Sequence, residues 1–232
     1  MKKAKKVVVT KNGPYLVSGN LPLIKEISTI GEEGEPEKWV KGKKYLKQNS
    51  YVLCRCGKSK NKPFCDGTHI EANFKGEETA ERVSYKDQSE KLPGPNLDLT
   101  DASNLCAGAR FCHLSGGTWN NVKNSDNPKA RKIAIQTACN CPSGRLVVWD
   151  KKTGKAIEPK LDPTISLIED PQAKVSGPIW LKGGIPLESE DGRKYQTRNR
   201  ATLCRCGHSQ NKPFCDGSHL DARFNDGDES LK

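Results

Sequence analysis

The feature that most constrains this chain is a cysteine-rich stretch that occurs twice. Residues 54–69 read CRCGKSKNKPFCDGTH and residues 204–219 read CRCGHSQNKPFCDGSH, matching at 13 of 16 positions with a register offset of 150. Self-similarity at a fixed offset divides a chain into units before any secondary structure is assigned. The likeness continues downstream, where Ile70-Glu-Ala-Asn-Phe74 matches Leu220-Asp-Ala-Arg-Phe224 in character. Upstream, Gly13-Pro-Tyr-Leu-Val-Ser-Gly-Asn-Leu-Pro-Leu23 is similar to Gly177-Pro-Ile-Trp-Leu-Lys-Gly-Gly-Ile-Pro-Leu187, at an offset of 164. The second copy is therefore shorter between its two halves. Each repeat reads as an apolar strand, a turn, a variable polar segment, a short strand and then the cysteine motif.

Three modules follow: residues 1–85, 86–170 and 171–232. Lys91-Leu-Pro-Gly-Pro95 reads as a linker into the middle module, and Asp170-Pro171 as its end. Val7–Thr10, Tyr15–Val17, Tyr51–Cys54, Arg145–Trp149, Ile179–Leu181 and Thr202–Cys204 are apolar or β-branched and flanked by turn residues, so strands are expected there. Two helices are expected in the middle module: one over Ala102–Ala109 capped by Thr100, and one over Lys129–Ala138 opened by Pro128. The expected fold class is mainly β with a small α+β middle.

Modules this small have little to bury. Only 34% of residues are hydrophobic, while Gly numbers 21 and Pro 14, so metals or disulfides are needed as staples. Met1-Lys-Lys-Ala-Lys-Lys-Val-Val-Val9 lacks the apolar run and cleavage site of a signal peptide, and no stretch reaches the length of a membrane span. A cytoplasmic location is expected. Thiols stay reduced in that compartment, which makes the ten cysteines metal ligands rather than bridges.

In each copy the spacing is Cys-x-Cys-x8-Cys-x3-His, giving the donor sets Cys54, Cys56, Cys65, His69 and Cys204, Cys206, Cys215, His219. Gly57, Gly67, Gly207 and Gly217 permit tight turns and close approach to a bulky inorganic core. Asp66 and Asp216 suit an Asx turn or a helix cap, and Pro63 and Pro213 stiffen the loop before the third cysteine. Zinc accepts three cysteines and a histidine, although its structural motifs usually begin Cys-x2–4-Cys. A two-iron core can take the first pair on one iron and the Cys–His pair on the other. Spacing alone leaves both metals open.

Both stretches resemble the CDGSH iron–sulfur (mitoNEET-like) family, whose motif is Cys-x-Cys-x2-Ser/Thr-x3-Pro-x-Cys-Asp-Gly-Ser/Ala/Thr-His. Cys54, Cys56, Ser59, Pro63, Cys65, Asp66, Gly67, Thr68 and His69 meet every fixed position, as do Cys204, Cys206, Ser209, Pro213, Cys215, Asp216, Gly217, Ser218 and His219. The resemblance implies one [2Fe–2S] cluster per copy, with Cys54/Cys56 on the inner iron and Cys65/His69 on the outer. Family members dimerise through an intertwined β-cap. Two copies in one chain therefore suggest an internal pseudo-dimer, as a monomer or within a homodimer. The family's membrane anchor has no counterpart here, which favours a soluble form.

Cys106, Cys112, Cys139 and Cys141 remain. A Cys-x2-Cys-x2-Cys run would place cysteines at 106, 109 and 112, but position 109 is alanine. The stretch Asn104–Trp149, with Cys-x5-Cys and later Cys141-Pro-Ser-Gly-Arg-Leu146, is similar to divergent single-cluster ferredoxins. That similarity implies a [3Fe–4S] cluster on Cys106, Cys112 and Cys141. A [4Fe–4S] cluster would need a fourth ligand, from Cys139 or His113, and a zinc ion on the four cysteines is the rival. His208, where the first copy has Lys58, reads as a surface residue.

No dinucleotide fingerprint, P-loop, nucleophile elbow or His-Glu-x-x-His occurs, so no enzyme class is indicated. The net charge of +11 suits an acidic partner, but the aromatic residues do not interleave with the basic ones as single-stranded nucleic-acid binders require. The expected function is a soluble electron carrier serving a redox partner protein. The competing readings are a donor of clusters to apo-proteins or a redox or pH sensor, and a zinc-stapled binding module.

Overall fold

Strand pairing makes the two copies inseparable. The computed structural model describes residues 4–232. The first copy forms β1 (Lys6–Val9), β2 (Tyr15–Ser18), β3 (Leu23–Ile30), β4 (Pro36–Lys44) and β5 (Ser50–Leu53), then the one-turn helix α1 (Thr68–Glu71). The middle segment forms β6 (Glu90–Pro93), β7 (Leu97–Asp101), α2 (Thr118–Lys123), α3 (Pro128–Asn140), β8 (Leu146–Asp150) and β9 (Ala156–Ile157). The second copy follows with β10 (Thr164–Asp170), β11 (Val175–Lys182), β12 (Leu187–Ser189) and β13 (Arg200–Leu203). At 31% strand and 15% helix the chain is mainly β.

One sheet runs β12-β1-β2-β5 and another β13-β11-β10-β3-β4. The first holds three strands of the first copy and β12 lent by the second; the other holds three strands of the second copy and β3 and β4 lent by the first. The exchanges are parallel and reciprocal: Val7 sits opposite Leu187, and Ile165 opposite Leu23. Leu23 and Leu187 are equivalent residues of the upstream repeat, so the exchange carries an internal two-fold symmetry. A single apolar core results, built from Val7, Tyr15 and Leu53 of the first copy and Ile165, Ile179 and Leu203 of the second. Strand β11 is buried at every residue, as a central strand with both faces covered must be. Strand β4 is the opposite case. Its lysines line a sheet edge and block further pairing.

The sequence boundary at 170 falls just after β10. In the structure that strand is hydrogen bonded to β11 and β3, so the outer sheets already include Thr164. The middle segment proper is the sheet β6-β7-β8-β9 with α2 and α3 packed on it, around Leu97, Leu99, Val122 and Val148.

Each strand expected from sequence has a counterpart. The helix over Ala102–Ala109 does not form. Only Ser103–Leu105 makes a single 3-10 turn, Cys106 is extended, and Gly108 takes a φ of +66°. Thr100 cannot cap because it belongs to β7, where its Oγ1 bonds Tyr85 Oη and accepts from Trp149 Nε1, each at 2.9 Å. The second helix extends over Pro128–Asn140. Asn127 caps it by accepting from the Lys129 and Ala130 backbone N–H groups. No helix among the described residues is long and apolar enough to cross a membrane.

Deleting residues 164–232 removes β12 from one sheet and leaves β3 without its parallel partner. Hydrogen exchange of that truncated chain is expected to show lost protection across β1–β5, while α3 and β8 keep theirs. Retained protection in β1–β5 would mean that the exchange is not what holds the first copy together.

Candidate metal centres

Every fixed position of the repeated motif has a structural task. Cys54 follows β5, and its backbone N–H donates to the Pro63 carbonyl at 2.8 Å; Cys204 and Pro213 repeat this at 2.9 Å. The Ser59 hydroxyl donates to the Phe64 carbonyl at 2.6 Å and accepts from the Asn61 N–H at 3.1 Å, folding the loop upon itself. Ser209 does the same with Phe214 and Asn211. Asp66 accepts from the Lys60 N–H at 2.7 Å and the Thr68 N–H at 3.0 Å, tying the loop to the turn that carries the histidine. Hydrogen bonding from the Thr68 side chain foremost, then from the Thr68 and Lys60 N–H groups, holds its carboxyl below the usual carboxylate range. Asp216 makes the equivalent contacts with Gln210 and Ser218.

The donors arrive in pairs. Cys54 and Cys56 bring their Sγ atoms within 3.8 Å, and Cys65 Sγ lies 3.4 Å from His69 Nδ1. In the second copy the separations are 3.7 Å for Cys204 and Cys206 and 3.5 Å for Cys215 and His219. A single tetrahedral zinc ion would hold all four donors about 3.8 Å from one another. Among the described residues, no three of these donor atoms lie within 4.8 Å of each other. Within each cysteine pair one thiol donates to the other. Either thiol of each pair can be the donor, and the hydrogen bond it gives lowers the thiol that accepts. One member of each pair thus approaches the thiolate that a metal requires. All ten cysteines are free thiols.

The two loops meet back to back. Gly57 has a φ of +74° and Gly207 of +89°. A Cβ on Gly57 would lie 2.3 Å from the Cys206 carbonyl oxygen, and one on Gly207 would lie 2.6 Å from that of Cys56.

In the middle segment Cys106 and Cys141 are near enough to Cys112 to act on its thiol, although among the described residues the three Sγ atoms do not all lie within 4.8 Å of one another. Burial raises Cys112 to about 12, and charge on Cys141 and Cys106 adds to the rise. Cys139 points elsewhere, its thiol 3.7 Å from the Ile157 carbonyl, with Arg200 and Glu158 as its charged neighbours. His113 is turned out to solvent, 3.9 Å from Glu35. Neither candidate fourth ligand joins the three cysteines. Arg145 does stand beside Cys106, anchored by Asp101 at 2.6 and 2.8 Å.

Residues 12–70 and 176–220 match the family described as the iron-binding zinc finger of CDGSH type, and residues 92–151 match the divergent 4Fe-4S mono-cluster family. The chain contains two CDGSH-type segments with a divergent mono-cluster ferredoxin-like segment between them. No curated protein and no solved structure matches it.

The two CDGSH sites differ in cover. His219 is 4% exposed and Cys215 2%, whereas His69 and Cys65 are only half-buried. The ferredoxin-like segment supplies the lid: Asn211 Nδ2 donates to the Asn104 carbonyl at 3.0 Å, and Cys106 lies close enough to Gly217 that a Cβ there would be 3.6 Å from its carbonyl. Burial, with Arg205 nearby, lowers His219 to about 4, so its imidazole is neutral and ready to act as a ligand.

The arginine between the first two cysteines also differs. Arg205 is buried against Glu169 at 2.9 Å and against Asp226, and Lys25 joins the same carboxylates together with Asp228. Those three carboxylates lie within 4.8 Å of one another, yet Arg205 and Lys25 already neutralise them, so they do not form a metal site. Arg55 is equally buried at 1% exposure but meets only backbone carbonyls, those of Thr10 and Gly76 among them, and the faces of Tyr15 and Phe74. Sequence reading missed both arginines. Their signal was the Cys-Arg-Cys repeat itself.

Asp226→Asn removes one of the two carboxylates that pair with the buried Arg205 and leaves Glu169 as its charged partner. Urea unfolding is expected to show a loss of about 2–3 kcal/mol near neutral pH. Burial alone would push the Asp226 carboxyl up, but Arg205 and Lys25 outweigh it and hold the group at about 2, against an ordinary 3.8. Its contribution is complete above the ordinary value and fades as pH falls toward about 2, so the gap between wild type and variant should close in that window. A gap that persists unchanged down to that pH would assign the loss to something other than the charge.

Proposed function

We propose that this protein is an iron–sulfur electron carrier rather than an enzyme. Cys54, Cys56, Cys65 and His69 would hold one [2Fe–2S] cluster, and Cys204, Cys206, Cys215 and His219 a second. Cys106, Cys112 and Cys141 would hold a [3Fe–4S] cluster. The observation that carries the reading is the pairing of donors: two pairs per site suit a centre with two metal atoms better than one tetrahedral ion. When bound, such clusters accept and release single electrons. The residues prepare for this by presenting paired thiols, the neutral imidazole of His219 and, in each CDGSH site, one fewer negative ligand than four cysteines would give. Three thiols with no fourth donor beside them favour three irons over four in the middle segment.

The half-buried His69 supports a second reading, donation of a cluster to an apo-protein, because an imidazole near solvent is the ligand most easily lost. Passage of the cluster to an apo-ferredoxin from the oxidised protein but not the reduced one would favour it. Reversible reduction without loss of iron favours the carrier.

Iron and acid-labile sulfide analysis, with EPR of oxidised and reduced protein, tests the assignment directly. Cys112→Ser should abolish the signal of the oxidised three-iron centre while Cys139→Ser leaves it intact. Loss of that signal in both variants would return Cys139 to the ligand set. His69→Cys adds a negative ligand and should lower the midpoint potential of one two-iron centre by on the order of 100 mV or more in a redox titration. An unchanged potential would remove His69 from that centre.

A further inference from the structure

We propose that the open face around His69 docks an acidic ferredoxin-like protein, in the way that the chain's own middle segment covers His219. The proposal rests on the electron-carrier reading of the His69 site and adds the class of its partner.

Internal symmetry provides the template. The two CDGSH sites are related by the reciprocal strand exchange, so their histidine faces are equivalent surfaces of one scaffold. On the second copy that surface is occupied. Leu220, the residue after the histidine, packs so tightly on the middle segment that a Cβ on Gly108 would lie 2.6 Å from its methyl group. On the first copy the equivalent Ile70 is 72% exposed, beside the half-buried His69 and Cys65. An apolar residue standing in solvent at the one place where its twin is covered marks an interaction surface.

Charge indicates what covers it. The two motifs differ at three positions, and two of these replace a neutral residue or His of the covered copy with lysine on the open one: His208 becomes Lys58, and Gln210 becomes Lys60. Both lysines are exposed, as is Lys75 below the same turn. Lys60 is tied to that turn through Asp66, whose carboxylate accepts from the N–H groups of Lys60 and Thr68. The exposed Lys58, Lys60 and Lys75 outnumber the exposed Asp66 and Glu71 of the same stretch, and a basic surface with a small apolar centre steers acidic partners and suits brief, weak encounters. A second copy of this chain fits poorly. Its net charge is +11, and its middle segment, residues 86–159, carries 11 Lys and Arg against 7 Asp and Glu.

The test titrates the full chain, loaded with iron and sulfide, with a small acidic [2Fe–2S] ferredoxin at low ionic strength by calorimetry. Lys58→Glu combined with Lys60→Glu should weaken binding about tenfold or more, as should Ile70→Asp. His208→Glu combined with Gln210→Glu, at the equivalent positions on the covered copy, should change it by about twofold at most. Equal losses in both lysine-site and control pairs, or no binding by wild type, would overturn the proposal. So would a dimer in sedimentation that Ile70→Asp dissociates, since a second copy would then occupy the face. EPR of the same samples separates the two levels of inference. If the His69 site takes no electron, the carrier reading fails; if it is reduced reversibly yet binding ignores the face, the docking proposal alone fails.

Discussion

Gly57 and Gly207 approach each other's loops so closely that neither position has room for a side chain beyond hydrogen. The rest of the architecture follows from that contact. Two Cys-x-Cys loops can stack back to back only if the strands leading into them, β5 and β13, are delivered from opposite sides of one core. The reciprocal loan of β3 and β12 achieves this. It buries apolar residues of both copies in one cluster and makes each sheet incomplete without the other copy. A covalent link between copies then converts what would be an interface into the interior of a single chain.

Symmetry at the core gives way to asymmetry at the rim. Tyr15 sends its hydroxyl to the Cys204 and Pro213 carbonyls at 2.8 and 3.1 Å, whereas the equivalent Ile179 offers no hydroxyl to the first loop. Arg205 is neutralised by carboxylates and Arg55 only by carbonyls and aromatic faces. One histidine is sealed and the other stands half open. The first difference is one substitution, the second lies in the partners of the same residue and the third in the docked middle segment, and together they give two sites with the same candidate ligands and different surroundings.

The middle segment is attached as firmly as a subunit. Arg200 donates to the carbonyls of Ala138 and Cys141 at 2.6 and 2.7 Å, capping the end of α3 beside a cysteine of the middle site. Trp39 of β4 donates to the Asn140 carbonyl at 3.0 Å and stacks on Phe111 and Trp180. A strand of the first copy, a strand of the second and the ferredoxin-like helix thus meet at one tryptophan. The segment is held in place over the second CDGSH site, with Cys106 against Gly217.

The sequence by itself determined the duplicated motif with its candidate donors and most short strands, because ligand spacing, turn residues and period-two patterning act within a few residues. It also singled out Cys106, Cys112 and Cys141; in the structure Cys106 and Cys141 act on the Cys112 thiol, while Cys139 faces the Ile157 carbonyl and His113 faces solvent. The exchange of β3 with β12 was not legible, since a lent strand and a retained one carry the same apolar pattern. Nor was the failure of the Ala102–Ala109 helix, where Thr100 is held in β7 by Tyr85 and Trp149 rather than free to cap. The inequality of the two repeated sites lay further still from the sequence. Thirteen of sixteen identical residues predict identical sites, and only the docking of a separate segment on one of them decides which histidine meets solvent.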